Sequence, residues 1–241
     1  MKFQLEVIAF TIAACTEAER AGAHRIELCS SPGEGGTTPS FGFIKTARQC
    51  TNLPLYPIIR PRGGDFLYSD DEYSAMLQDV KACKDAGCDG VVIGLLAPDG
   101  SIDKWRTAQL VEVAYPLGVT FHRAFDRVSD AATGLEDVIA AGCERVLTSG
   151  LMPSAVDGAK TIASLILQAD ERIIIMPGSG VRSANIVELA KLTGATEFHS
   201  SARGLAKSKM KFNSTQMNEE LAVADLDVNE LSEILNKLSG L

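Results

Sequence analysis

Four short strings recur along this chain: Ala21-Gly22-Ala23, Ala86-Gly87-Cys88, Ala141-Gly142-Cys143 and Thr193-Gly194-Ala195. Each ends a helix-length amphipathic segment and leads into an apolar run of strand length, and its glycine suits the left-handed residue that stops a helix. Alternation of this kind calls for a parallel sheet covered by helices. Eight strands are expected, at Gln4–Ile8, Arg25–Leu28, Leu55–Ile59, Gly90–Gly94, Val119–His122, Arg145–Thr148, Arg172–Met176 and Glu197–Ser200. All four glycine strings precede even-numbered strands, as a duplicated unit of two strands and two helices requires, and barrel interiors are filled in layers from alternate strands. The rival is an open dinucleotide-binding sheet, which needs a GxGxxG turn after its first strand, and none is there. The expectation is an α/β chain folded as a single-domain TIM-type (β/α)8 barrel over residues 1–241.

With 241 residues, 46% of them hydrophobic, the chain can bury one large core. A formal net charge of −8 disfavours attraction to nucleic acid or to an anionic membrane. The first residues, Met1 to Val7, carry no apolar leader segment, and no window approaches 18 uninterrupted apolar residues, so a cytoplasmic setting is expected. The six cysteines are dispersed without a CxxC pair, which fits reduced thiols.

Local signals add detail. Ser69-Asp70-Asp71-Glu72 has capping-box spacing, and Ser183 is placed to cap the helix after the seventh strand. Apolar residues from Leu226 to Leu238 recur at near-helical spacing, which predicts a C-terminal helix near 225–238 packed on the barrel or on another subunit. The stretch near 203–222 reads as an irregular connection.

Strands of a parallel barrel all end at one rim, where function concentrates. Polar residues crowd there: Glu6, Glu27 and Cys29, the loop Arg60-Pro61-Arg62-Gly63-Gly64-Asp65, the run His122-Arg123-Ala124-Phe125-Asp126, then Ser179-Gly180 and His199-Ser200-Ser201-Ala202-Arg203. Glu6 and Glu27 lie on adjacent strands and form either a carboxylate pair with separated pKa values or buried ion pairs with Arg60 or Arg62. His122, beside Arg123 and near Asp126, is either an acid/base group at an exposed strand end or a satisfied core histidine. Arg60, Arg62 and Asp65 make either a substrate clamp or a structural knot of Arg–Asp pairs. Ser179, Gly180, His199, Ser201 and Arg203 together offer backbone N–H groups, hydroxyls and a guanidinium for a small anion. His24, at the opposite barrel end, reads as structural.

Cu(I) selects soft sulfur ligands, and Cys29 is the only cysteine placed at a strand's C-terminal end. From residues alone a copper site is weakly supported.

Several strings are long and distinctive: Arg25-Ile26-Glu27-Leu28-Cys29, Glu34 to Ser40, Pro57 to Asp70, Val119 to Asp126, Arg145 to Gly150 and Glu197 to Ala202. In this order, from about residue 3 to at least residue 212, the chain resembles the CutC copper homeostasis family. The resemblance implies a TIM-type barrel, a cytoplasmic setting, a homo-oligomer (dimer or tetramer), and copper(I) binding. It also implies a cysteine two residues after the first-strand glutamate, partnering Cys29 on the metal, but here that position is Ile8. Two functions are therefore carried forward. One is copper handling through Cys29. The other is an enzyme acting by acid/base chemistry on a small anionic substrate, phosphorylated or sugar-like.

Overall fold

The computed structural model describes residues 3–214, 216–218 and 220–241. Its parallel strands are β1 (Gln4–Ala9), β2 (Arg25–Leu28), β3 (Leu55–Pro57), β4 (Gly90–Ile93), β5 (Gly118–Phe121), β6 (Arg145–Thr148), β7 (Ile174–Pro177) and β8 (Glu197–Ser200). They pair in the orders β3-β2-β1-β8 and β4-β5-β6-β7. The two halves meet through a parallel bridge between Ile58 and Val92, with Ile59 N–H donating to the Val92 carbonyl at 2.8 Å. On the other side β7 lies against β8. This is the parallel α/β barrel that the alternation predicts, with β7 starting two residues later than expected.

Helices α1 (Ile12–Ala21), α2 (Phe41–Cys50), α3 (Asp70–Asp85), α4 (Lys104–Ala114), α5 (Ala131–Ala140), α6 (Ala159–Ala169) and α7 (Ile186–Thr193) cover the strands. The expected helix stops are present: Gly22, Gly87, Gly142 and Gly194 have φ of 92°, 78°, 89° and 74°. The capping box at α3 is closed by Ser69 and Glu72. Ser183 does not cap α7, which begins after Asn185; its hydroxyl and N–H instead bind Glu230, tying down the C-terminal helix α8 (Val228–Ser239).

Side chains alternate across each strand, and the alternation separates two apolar regions. Outward residues such as Leu5, Val7, Ile26, Leu28, Val91, Phe121 and Phe198 pack under the helices. Inward residues Cys29, Tyr56, Ile58 and Val92 form a small cluster of their own inside the barrel, joined by Ile8 and Phe10. Each fully buried Leu, Ile or Phe contributes about 1.5–3 kcal/mol, so the outer layer carries most of the stabilisation. The inner space is tight enough that large inward side chains face glycine. A Cβ at Gly90 would lie 2.1 Å from the Tyr56 ring, and one at Gly94 would lie 2.3 Å from the His122 ring.

The segment read as an irregular connection is partly ordered into a ribbon. Strand β9 (Arg203–Ala206) pairs antiparallel with β10 (Val223–Leu226), closing a long arm between them. The signal was missed because the pairing joins residues about 20 apart in sequence through a polar stretch that has no strand period of its own. The C-terminal helix was expected near 225–238; β10 takes its first two residues.

Candidate active site at the barrel mouth

Period-two alternation puts Arg25 and Glu27 on the inner face of β2, Glu6 on that of β1 and Glu197 and His199 on that of β8. At the N-terminal end these residues build a buried ionic layer. Arg25 lies 3.1 Å from Glu197 and 3.4 Å from Glu6, and Arg145 lies 2.8 Å from both Glu197 and Glu144. Tyr56 sits beneath Arg25 and donates its hydroxyl to Glu144 at 2.9 Å. Arg25, Arg145 and Glu197 were not singled out from the sequence, although the parity of Arg25-Ile26-Glu27 already placed Arg25 on the same face as Glu27.

Above this layer His199 stands between two carboxylates. Its Nδ1 donates to Glu6 Oε1 at 2.8 Å, and its Nε2 is 3.7 Å from Glu27 Oε2. All three residues are buried. Burial opposes charge on Glu6, but the hydrogen bond from His199 and the charges of His199, Arg25 and Arg145 outweigh it and hold this carboxyl below its usual range. Burial likewise opposes charge on His199, and the hydrogen bond to Glu6 with the charges of Glu27 and Glu6 reverses the balance, raising its pKa above the ordinary value. For Glu27 burial dominates, helped by the charge of Glu6, and its pKa rises to about 7. Two carboxylates on one histidine are thus driven apart, one ionised and one poised near neutrality.

Glu27 and His199 open onto a cavity of about 750 Å³ at the strand ends, walled by Arg60, Arg123, Arg127, Asp65, Asp126, His122 and Phe66 among others. Arg60 reaches three backbone carbonyls, those of Glu34, Gly36 and Gly64, at 2.6, 2.8 and 3.0 Å, so it organises loops as well as facing the cavity. It does not pair with Glu6 or Glu27, whose partners are Arg25 and His199. Asp126 is a loop anchor: its carboxylate accepts from Thr148 Oγ1 and from the N–H groups of Ser149 and Leu151, and meets Arg123 Nε at 2.7 Å. His122 is not at an exposed strand end. It is buried under Phe66, whose ring centroid is 5.0 Å away, and burial with the nearby charges of Arg60 and Arg123 depresses its pKa to about 3. It is neutral at any physiological pH, so the structure does not support it as a titrating acid/base group.

The remaining expected residues lie outside the cavity wall. Arg62 binds Glu72 at 2.6 Å and Asp65 at 2.9 Å, which is the structural knot rather than the clamp. Ser179 donates to the Pro153 carbonyl, Gly180 accepts from Asn185, and Arg203 reaches the Pro32 carbonyl at 3.3 Å. These three and Ser201 do not line the cavity where Glu27 and His199 open. Arg127, which does, was missed: one arginine in a short 3-10 turn after β5 carries no pattern of its own.

Donor chemistry tests a copper ion directly. Among the described residues one three-ligand grouping of His, Cys, Asp and Glu occurs, Glu6, Glu27 and His199, and Cys29 is not part of it. Both Glu6 oxygens already serve Arg25 and His199. Cys29 is buried, and burial with the charges of Glu27 and Glu6 pushes its thiol well above its usual range, keeping it protonated. Ile8 packs beside it. A set of one thiol, two carboxylates and an imidazole does not match the soft donors Cu(I) selects.

A parallel eight-stranded barrel with a buried carboxylate–histidine–carboxylate group under a cavity at its strand ends defines a TIM-type barrel protein. The chain belongs to the CutC family, whose model matches residues 3–204 and so includes Glu6, Glu27, His122 and His199. It is 53% identical over 208 residues to a CutC family protein of Chromobacterium violaceum, covering 86% of this chain and 84% of that one. It is 45% identical over 236 residues to the human copper homeostasis protein cutC homolog, covering 96% and 86%. The crystal structure of a Streptococcus agalactiae protein described as a copper homeostasis protein CutC superposes with a TM-score of 0.79 at 32% identity, over 83% of this chain and 98% of that one. Among the described residues no helix is long and apolar enough to cross a membrane.

Proposed function

We propose that the barrel mouth is a catalytic site for a small anionic substrate, within a family whose name ties it to copper homeostasis. The observation that carries this reading is His199 held at 2.8 Å by ionised Glu6 while its other nitrogen faces Glu27 across 3.7 Å. Glu6 fixes the tautomer and orientation of the ring and stabilises its positive form. Glu27, with a pKa of about 7, accepts or returns a proton at the cavity floor without a large energetic cost in either direction. Arg60, Arg123 and Arg127 line the same cavity, beside Glu34, Asp65 and Asp126, and their guanidinium groups suit a carboxylate or phosphate. Cu(I) binding through Cys29, the alternative that the family name suggests, has a single thiol outside the Glu6, Glu27 and His199 grouping to support it.

A thermal-shift screen of carboxylates, sugar acids and sugar phosphates tests the proposal. A stabilising compound should lose its effect in Arg123→Ala and be consumed by the wild type but not by Glu27→Gln. Stabilisation unchanged in both variants would overturn it.

A further inference from the structure

We infer that the substrate is a small carboxylate bearing a carbonyl group, a 2-oxo acid being the simplest, and that His122 Nε2–H receives its carbonyl oxygen while a proton on the adjacent carbon is removed at the Glu27 side. This rests on the acid/base reading of the cavity and adds a substrate class and a residue to it.

The argument begins with a tautomer. His122 Nδ1 accepts the Ala124 N–H at 3.1 Å, and a neutral imidazole that accepts at one nitrogen carries its hydrogen on the other. Nε2 is therefore a donor. It is also buried without a partner, one of two such side-chain atoms on residues that wall the cavity, the other being Arg60 Nε. A buried N–H left unpaired is unfavourable, and a ligand oxygen there removes the cost. The ring cannot swing to find another acceptor. Its Nδ1–Cε1 edge lies against Gly94, where even a Cβ would come within 2.3 Å, and Phe66 packs over it. The Nε2 edge is the one turned away from Gly94, on a residue that lines the cavity.

A fixed neutral imidazole stabilises developing negative charge on oxygen without giving up its proton. Arg60 and Arg123 line the same cavity as His122, and their guanidinium groups are the cations offered to the carboxylate. Glu27, which lines the same cavity, takes the proton from the carbon next to the carbonyl. The C–H pair becomes the carbon–carbon π bond of an enolate, and the carbonyl π pair moves to the oxygen held by Nε2–H. Reversal returns a solvent proton, which in heavy water is a deuteron.

Proton NMR of pyruvate in D2O with the full-length protein reads this exchange, and titration with oxalate, a planar mimic of the enolate, reads binding. The wild type should speed the loss of the pyruvate methyl signal. His122→Phe should slow it at least tenfold and weaken oxalate at least tenfold, with His122→Gln, which keeps a donor, in between. Equal exchange and equal oxalate affinity in wild type and His122→Phe would overturn the role of His122. A wild type that neither exchanges pyruvate nor binds oxalate would overturn the carbonyl class, while a turned-over ligand from the thermal-shift screen would leave the acid/base site standing. If His122→Phe does not fold, nitrogen-15 NMR of the wild-type imidazole decides: a proton on Nδ1 rather than Nε2 overturns the inference.

Discussion

Glu6 and His199 are register partners across the β1–β8 ladder, and that pairing brings the His199 imidazole onto the Glu6 carboxylate. A parallel register places two Cβ atoms side by side, so the contact follows from strand pairing rather than from a loop. Glu6→Gln should lower the His199 pKa, read as the titration of its ring protons by NMR. Because the folded pKa of His199 is raised, its stabilising contribution is complete below the unfolded value near 6.5 and fades as pH rises through the folded one. The variant should therefore lose more stability at pH 6 than at pH 9.

Glu27 gives a pH signature of the same sign in a lower pH window. Its folded pKa of about 7 exceeds the unfolded value, so the folded protein holds a proton that the unfolded chain releases, and stability falls as pH rises from about 4.5 to about 7. Glu27→Gln removes that loss. Its unfolding free energy relative to wild type should climb across this interval and level off above it, by an amount on the order of a few kcal/mol. A flat difference across the interval would show that Glu27 does not titrate there.

Asp126 is expected to matter for stability rather than for proton transfer. Both its oxygens accept hydrogen bonds from Thr148, Ser149, Leu151 and Arg123, and an amide places a donor among those donors. Asp126→Asn should cost about 1–3 kcal/mol in urea unfolding. The pH profile of any turnover should keep its shape.

Gly90 and Tyr56 test the packing of the interior. Tyr56 is fixed by Glu144 and by Arg25 above its ring, so it cannot yield to a methyl group 2.1 Å away. Gly90→Ala should destabilise by about 1–3 kcal/mol, and adding Tyr56→Leu should recover part of the loss in a double-mutant cycle.

Copper gives a fifth variant series. Titration with Cu(I) under reducing conditions should give the same binding curve for wild type and Cys29→Ala. Tight one-to-one binding abolished by the substitution would restore the thiol to a metal-binding role.

Strand positions and helix stops were legible because period-two apolar runs and left-handed glycines are local properties of the chain. Glu6, Glu27 and Cys29 were legible as inward residues for the same reason. The partner of the two glutamates was not: His199 was expected to hold an anion with Ser179 and Arg203, and only the β1–β8 register shows that it meets Glu6 instead. The state of His122 depends on Phe66 folding over it from the loop after β3, a tertiary contact that no spacing encodes. The ribbon of β9 and β10 was hidden likewise, since its strands are short and largely polar or exposed.

The hydrogen bond between Glu6 and His199 joins residues 193 positions apart. A chain emerging from the ribosome carries Glu6 almost from the outset, yet that carboxylate has no imidazole to face until β8 is made. The carboxylate–histidine pair is thus completed only when the last staves of the barrel have been synthesised, and any chain truncated before His199 lacks it, whatever part of it folds.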